Sequence, residues 1–302
     1  MKRSLPLFLL AILFAGCVTH PATEVRRSDS QIELVRNGQR VLVYNLRPPP
    51  NSGLPVETGD YFHPLLTPGG VVVTDFVPSD HKHHRGLFLG WVEMHGAKDA
   101  DFMGWGAHAP IKDRRIVNRS VTMTRDGFIA HNNWLADDTL LIDEKVEATS
   151  STSDGLNVLD LAYRLKAKSD LTISRWAFSG FCLRVRKDGD IRISSPDGVV
   201  LLPNPIHTKP ESDWPDAPWY ACEQTLTGGA RIGVAVMSHP SNPPTLWHNH
   251  RGVRLLNPCI VAPGELKLAA GQPLVLRYRV VTFDGALPTS QLNALAARYS
   301  AK

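Results

Sequence analysis

The sequence predicts an all-β protein, one large antiparallel β-sandwich with a short C-terminal helix. From Gln31 onward, short runs of alternating apolar and polar residues recur, and Gly, Pro, Asn or Asp separates most of them. The Asn37-Gly38 pair inside "QIELVRNGQRVLVYNL" is typical of a hairpin turn. The strand spacing continues without a change in composition, so residues 31–302 are expected to form a single domain.

The first residues have the pattern of a signal peptide. "MKRSLPLFLLAILFAGC" begins with basic residues, continues with an apolar run too short to span a membrane, and ends in small residues and Cys17. The "LFAGC" ending resembles a bacterial lipobox, which predicts a signal peptide over residues 1–17 and a lipid anchor on Cys17. Val18 at the next position favours the outer membrane, and the polar residues 18–30 are predicted to be a tether. The alternative is an ordinary secreted protein that is cut nearby.

Strand-like segments continue through the rest of the chain. In order, they include "VVVTDF", "GLFLGWVEM", "RRIVNRSVTMTR", "FIAHNNWL", "TLLIDEKVEAT", "NVLDLAYRLKA", "LTISRWAFSGFCLRVR", "IRISS", "RIGVAVMSH" and "PLVLRYRVVTF". Within "TLLIDEKVEAT", Glu144 is expected to face solvent. Only two segments have a helical pattern, a weak one near residues 97–104 and "SQLNALAARYS", for which Ser290 is a suitable N-cap.

Charge and cysteine content limit the partners. The formal net charge is +4, and no block of Lys or Arg stands out, which argues against nucleic acid as the main partner. Beyond the signal segment, Cys182, Cys222 and Cys259 could form one disulfide in an oxidising compartment and leave one thiol over. Cys182 lies in a strand pattern and is predicted to be buried apolar filling.

The stretch "DHKHHRGLFLGW" holds three of the 12 histidines of the chain. If this segment is extended, His81 and His83 point to one side and His84 to the other. His81 and His83 could then bind a divalent metal, with Glu93 or His63 as a third ligand.

The same residues could instead perform acid/base chemistry without a metal. Histidine titrates near neutral pH, so His63 and His84, with Glu93 as a base candidate, could transfer protons in sugar chemistry. Arg85 could hold a carboxylate or a developing oxyanion in bidentate fashion. The competing interpretation is that these side chains only bond to loop carbonyls.

Tryptophan provides flat apolar surfaces that suit the C–H faces of sugars. Trp91 and Trp105 are expected to shape the pocket, and His248 and Arg184 to contact the substrate. Arg184 could equally be an ion-pair partner at a sheet edge. Further surfaces of this kind come from Trp134, Trp214, Trp219 and Trp247.

Several segments resemble a bacterial family labelled "methane oxygenase PmoA-like". They are "YFHPLLTPGGVVVTDFVPSDHKHHRGLFLGW", "DFMGWG", "GFCLRVR", "GVAVMSHPSNPPTLWHNHRG" and "LNPCIVAPGELKLAAGQPLVLRYRVVTFDG". The resemblance covers residues 31 to 300, and its label would imply a metal-dependent redox protein. The ending "APGELKLAAGQPLVLRYRVVTFDG" is also similar to the last strands of galactose-mutarotase-like supersandwich domains. That likeness implies sugar binding, with His84, His63 and Glu93 as the nearest counterparts of the family's proton-transfer residues.

Together these observations predict an exported, lipid-anchored carbohydrate-active protein. The expected reaction is hydrolysis, elimination or epimerisation of a glycoside or an oxidised sugar, by histidine acid/base chemistry or with a metal. A non-catalytic glycan-binding lipoprotein and a metal-dependent oxidoreductase are the alternatives.

Overall fold

A computed structural model describes residues 23–301, and it confirms the all-β sandwich with one C-terminal helix. The predicted signal peptide and Cys17 lie outside the described residues. The first strands are β1 (Thr23–Arg27), β2 (Gln31–Arg36), β3 (Gln39–Asn45), β4 (Glu57–Thr58), β5 (Tyr61–Leu65), β6 (Leu87–Gly90), β7 (Met94–His95), β8 (Arg114–Met123), β9 (Gly127–Ala136), β10 (Thr139–Ser153) and β11 (Leu156–Ala167). The later elements are β12 (Leu171–Ile173), β13 (Gly180–Arg184), β14 (Asp190–Ser195), β15 (Gly198–Val199), a 3-10 turn (Pro210–Ser212), β16 (Trp219–Thr225), β17 (Arg231–Ser238), β18 (Leu246–Trp247), β19 (Leu255–Leu256), β20 (Pro258–Cys259), β21 (Leu266–Leu268), β22 (Pro273–Asp284) and α1 (Thr289–Ser300).

Two large sheets form the sandwich. The seven-stranded sheet has the order β1-β2-β3-β5-β6-β13-β19, and the ten-stranded sheet has the order β15-β14-β16-β17-β22-β11-β10-β9-β8-β4. Neighbouring strands pair antiparallel, except for the short parallel pair of β4 and β8. Two small sheets, β21-β12-β7 and β18-β20, extend the structure around the loops.

The alternating sequence pattern explains how the sheets pack. Along β9, Phe128, Ala130 and Trp134 are buried and alternate with less buried residues, as expected when one face of a sheet meets the core. The Tyr44 ring of β3 lies 4.8 Å from the Phe128 ring, centroid to centroid. Side chains of both sheets therefore share one core, as in other sandwiches.

The C-terminal helix covers the outer face of the ten-stranded sheet. It begins at Thr289, and the N-cap is Pro288, which has extended backbone, so the predicted N-cap Ser290 was wrong and lies in the first turn of the helix. Leu292 and Leu295 pack against Trp219 and Phe283 of the sheet. This contact buries an apolar face that the sheet would otherwise expose.

Two sequence predictions of local structure were wrong. Residues 23–27 do not belong to a tether, because they form β1 and pair with β2 along its length. A polar edge strand has the composition of a linker, so composition alone cannot distinguish them. The segment near 97–104 is not a helix, because the Asp101 carboxylate accepts hydrogen bonds from the backbone N–H groups of Gly104 (2.7 Å) and Gly106 (2.6 Å) and folds a loop.

The cysteines between residues 23 and 301 are three free, buried thiols. They lie on three different strands, β13, β16 and β20, and no disulfide joins them. The burial predicted for Cys182 is confirmed. No helix in this part of the chain is long and apolar enough to cross a membrane.

Candidate active site

A cavity of about 240 Å³ beside the seven-stranded sheet brings half of the histidines of the chain together. Its histidines are His81, His83, His84, His207, His248 and His250. Trp105 and Phe178 supply part of its apolar lining. Small-molecule sites combine an apolar lining with a few converging polar groups in this way.

The sequence stretch "DHKHHRG" forms one side of the cavity through a tight turn. The backbone N–H of His84 donates to the carbonyl of His81 at 2.9 Å. The His81 and His84 rings stack with their centroids 4.9 Å apart, and the His83 ring meets His84 edge-on at 4.5 Å. The prediction that His84 points away from His81 and His83 was therefore wrong, because it assumed an extended backbone where the chain turns.

Arg184, at the end of β13, contacts His84 on the side of the ring away from the cavity. Its buried guanidinium donates to Nδ1 of His84 at 3.1 Å and to Asp80 at 3.0 Å. Asp80 also lies 2.8 Å from the Lys187 ammonium and 3.2 Å from Nδ1 of His81. Burial opposes ionisation of Asp80, but hydrogen bonds from Lys187 and Arg184 hold its pKa below the usual range. Arg184 thus positions His84 and does not itself line the cavity.

His248 and Asp213 form a buried pair on the opposite side. Nδ1 of His248 lies 2.6 Å from a carboxylate oxygen of Asp213, which leaves Nε2 as the ring nitrogen for the cavity. Burial raises the pKa of Asp213 to about 8 and lowers the pKa of His248 to about 4. The pair is therefore uncharged at neutral pH, and above about pH 8 it becomes a carboxylate beside a neutral imidazole.

His250 follows two residues later, and a backbone N–H group holds its ring. The N–H of Val253 donates to Nδ1 of His250 at 3.0 Å. Burial lowers the pKa of His250, lowers the pKa of His83 to about 3, and holds the pKa of His84 well below its ordinary value. These three imidazoles are therefore neutral at neutral pH.

Arg85 braces the turn and is not presented to a ligand. Its two terminal nitrogens donate to the carbonyl oxygens of His83, Met103, Leu89 and Phe102. Its guanidinium also lies 4.1 Å from the centroid of the Phe88 ring. The Arg85 guanidinium, which was expected to hold an anion, therefore donates to backbone carbonyls instead, as the competing interpretation of this segment proposes. Gly86 follows with φ 71°, and a Cβ there would lie 2.3 Å from the carbonyl oxygen of Phe62.

His63 does not line the cavity. Its Nδ1 lies 2.9 Å from the Thr74 hydroxyl, and its ring stacks on Phe76 with the centroids 5.3 Å apart. Burial lowers its pKa to about 4. The prediction that placed His63 beside His84 as a second catalytic histidine has no support in this arrangement, because the two rings do not share the cavity.

Glu93 and Trp91 also lie outside the cavity lining. Glu93 accepts a hydrogen bond from Nε1 of Trp176 at 2.7 Å and pairs with Nε2 of His95 at 3.0 Å. It positions Trp176, whose ring meets the ring of the cavity residue Trp105 edge-on at 5.6 Å. Trp91 is fully buried and belongs to the same core cluster as Leu87 and Leu89.

The metal expectation for His81 and His83 remains a prediction. Between residues 23 and 301, no group of three or more His, Cys, Asp or Glu side chains has an arrangement that could hold a metal ion. His81 and His83 are 5.7 Å apart by ring centroids and meet edge-on. Neither Glu93 nor His63 joins them in the cavity lining.

The sequence placed Trp105 and His248 in the pocket but did not single out Asp213, His250 or His207. The "HNH" spacing of His248 and His250 repeats the "HKH" spacing of the first turn, and it was the available signal for His250. Asp213 lies 35 residues from its partner in a proline-rich loop, and nothing in the sequence pairs the two.

Comparison with solved structures found distant similarities. The chain is 10% identical to a polysaccharide lyase (TM-score 0.35), covering 91% of this chain and 34% of that one. It is 13% identical to a putative kojibiose phosphorylase from human microbiome (TM-score 0.35), covering 89% of this chain and 29% of that one. It is 6% identical to a galactose mutarotase related enzyme from Lactobacillus acidophilus (TM-score 0.39), covering 87% of this chain and 97% of that one. The chain thus spans about a third of the length of the first two proteins.

The comparison of sequences corrects the family assignment. No curated protein matches the chain. A family model matches residues 31–297, and it is a family of unknown function and not a PmoA-like family. The predicted PmoA-like identity was therefore wrong, and the oxidoreductase alternative loses its basis. The segments that suggested it lie within the matched region, and the chain belongs to the family DUF6807.

Proposed function

We propose that the histidine cavity binds a small sugar and abstracts a proton from it, with His248 as the general base. The observation that carries the proposal is the buried Asp213–His248 pair in a cavity lined by six histidines and by aromatic rings. In its active form, the Asp213 carboxylate accepts the Nδ1–H of His248, so that Nε2 presents a lone pair to the ligand. Asp213 then stabilises the imidazolium that forms.

The arrangement favours elimination or epimerisation over hydrolysis. Glycoside hydrolysis ordinarily uses two carboxyl groups on either side of the scissile bond. No carboxylate between residues 23 and 301 lines the cavity, since Asp213 sits behind His248. Proton transfer by neutral histidines suits reactions that begin with loss of a C–H proton. The N-terminal segment predicts export and a lipid anchor. We therefore propose that the protein acts outside the cytoplasm.

The test combines binding and turnover. Tryptophan fluorescence of the purified chain is titrated with a panel of monosaccharides and disaccharides, and conversion is followed by proton NMR. Asp213→Asn is expected to keep binding within a few-fold and to lower turnover by about 10²- to 10⁴-fold, the range for a lost general base. Asp138→Asn removes a fully exposed carboxylate outside the cavity lining and serves as the control. Binding without turnover in the unsubstituted protein would favour a glycan-binding module, and turnover equal in both variants would contradict the role of Asp213.

A further inference from the structure

The tautomers of two cavity histidines are fixed by their partners. The guanidinium of Arg184 has only donors, so its contact with Nδ1 of His84 requires a lone pair on that nitrogen. The backbone N–H of Val253 likewise donates to Nδ1 of His250. In a neutral imidazole with a lone pair on Nδ1, the proton is on Nε2. His84 and His250 therefore both carry Nε2–H.

These Nε2–H groups have no partner in the part of the chain that the structure describes. The His84 side chain is buried, at 3% exposure, yet no hydrogen bond to its Nε2 occurs among residues 23–301. His250 is half-buried, and its Nε2 likewise has no partner among these residues. Both residues line the cavity and neither Nε2 is a fully buried atom, so each N–H can donate to an acceptor on a ligand in the cavity.

From this arrangement we infer that His84 and His250 are a pair of fixed N–H donors for an oxyanion, and that the substrate is an uncharged sugar with a ketone or aldehyde group. The inference rests on the proposed function, which supplies His248 as the base. No Lys or Arg between residues 23 and 301 lines the cavity, so the site offers no counter-charge for a sugar acid.

The reaction step follows from the three roles. Nε2 of His248 takes the proton from the carbon next to the carbonyl, and the C–H electron pair forms a carbon–carbon double bond. The carbonyl π electrons move onto oxygen, and the resulting oxyanion accepts hydrogen bonds from Nε2–H of His84 and His250. Addition of a proton from water to the other face gives the epimer, and His248 then returns its proton to solvent, whereas loss of a leaving group from the next carbon completes an elimination. Donors aimed at developing charge supply much of the rate in such sites.

The fixed tautomers also define what these two histidines do not do. Neither ring can accept a proton at Nδ1 while Arg184 or Val253 donates to it, so neither cycles between neutral and charged forms. A metal would need the lone pair of Nε2, which carries the proton instead. His84 is therefore a donor in this scheme and not the proton-transfer residue that its sequence context suggested.

Two measurements test the inference separately from the proposed function. The first is ¹⁵N NMR of the histidine-labelled protein, without ligand. His84 and His250 are expected to show protonated Nε2 and unprotonated Nδ1, and the opposite tautomer in either ring overturns the inference. His84→Gln and His250→Gln assign the two signals.

The second measurement is deuterium exchange in D₂O with D-fructose, L-sorbose, D-glucuronate and methyl α-D-glucoside as probes, followed by proton NMR. Exchange next to the carbonyl is expected for the ketoses and not for the glucoside. His84→Phe is expected to slow exchange by about 10²- to 10³-fold, whereas His84→Gln, which retains an N–H donor, is expected to restore part of that loss. His131→Gln, on β9 and outside the cavity, is the control.

The outcomes separate the two claims. If sugars are bound and converted but no exchange next to a carbonyl occurs, the inference fails and the proposed function stands. If the panel of sugars is neither bound nor converted, both fail. If exchange occurs equally in His84→Phe and in the unsubstituted protein, the base is supported and the donor pair is overturned.

Discussion

Asp60 and Glu144 place two carboxyl groups inside the sandwich core. Asp60 accepts a hydrogen bond from the Tyr44 hydroxyl at 2.7 Å, and Glu144 accepts one from Nε1 of Trp134 at 3.1 Å. Burial and the neighbouring Glu144 raise the pKa of Asp60 well above its usual value. Since two buried carboxylates cannot both ionise cheaply, the pair retains a proton at neutral pH.

Replacing Asp60 by asparagine therefore tests this shared proton. Above the unfolded pKa of about 3.9, unfolding of the natural protein releases the proton, and its stability falls as pH rises. The amide of the variant carries its N–H at every pH, so the free energy of unfolding of Asp60→Asn should increase relative to that of the natural protein as pH rises above about 5, by at most about 1.4 kcal/mol per pH unit. Urea denaturation at several pH values measures this difference. Asp143→Asn, on the exposed face of β10, is the control, and a difference that does not change with pH would contradict the shared proton.

Glu144 also shows what the sequence could and could not predict. In "LIDEKVEAT" it lies in phase with Ile142 and Val146, which are buried, so strand periodicity places it inside. Its charge suggested the solvent instead, and that expectation was wrong, because Trp134 and Asn132 supply the hydrogen bonds that permit its burial. Periodicity identified the strands, whereas the partners of a buried charge come from elsewhere in the fold.

The strands were therefore predictable to a greater extent than the loops that form the site. Alternating residues predicted most of the sandwich, and the histidine-rich segment lines one side of the cavity. The turn at His81–His84, the role of Arg184 behind it and the pairing of Asp213 with His248 depend on contacts between distant segments. No local pattern encodes such contacts, and the sequence accordingly assigned Arg85 and Glu93 to chemistry that their hydrogen bonds do not allow.

The C-terminal helix illustrates stability at the scale of one element. Its Leu295 side chain is 2% exposed and packs with Trp219 and Phe283 on the outer face of the ten-stranded sheet. Nε1 of Trp219 also donates to the side chain of Asn293 at 2.9 Å. An amphipathic helix of 12 residues draws most of its stability from such packing.

Leu295→Ala is accordingly expected to destabilise the protein by about 2–5 kcal/mol, the usual cost of removing a buried leucine side chain. Urea denaturation at neutral pH measures the change. Leu201→Ala, which truncates a leucine that is 88% exposed, is the matched control and should change stability by less than about 0.5 kcal/mol. Equal effects in the two variants would show that the helix does not dock as described.

At the scale of the whole molecule, buried histidines and buried acids have opposite effects on how stability changes with pH. Burial lowers the pKa of His63 and His248 to about 4 and of His83 to about 3, and it holds the pKa of His84 well below the ordinary value. The unfolded chain binds these protons near about pH 6.5 and the folded chain does not. These four residues therefore remove stability as pH falls from about 6.5 toward 4.

The buried acids act in the other direction. Burial raises the pKa of Asp101 to about 6 and of Asp213 to about 8, and the pKa of Asp60 lies well above its usual value. The folded chain keeps protons that the unfolded chain releases above about pH 3.9, so these groups remove stability as pH rises. Above about pH 6.5 the histidines are neutral in both states, and the acids alone determine the slope.

The two groups together predict that stability is highest near neutral pH and falls on either side. Below the maximum, the unfolded chain binds histidine protons that the folded chain does not, and above it the unfolded chain has already released the acid protons that the folded chain keeps. Urea denaturation from about pH 4.5 to 8.5 measures this profile. The general base requires the ionised Asp213, so the turnover number should still rise as pH increases through about 8 while stability falls. Loss of the Asp213 proton weakens the fold, and the same loss is required before His248 can act as a base. A stability that does not change with pH, or a turnover number that falls together with stability, would therefore contradict this prediction.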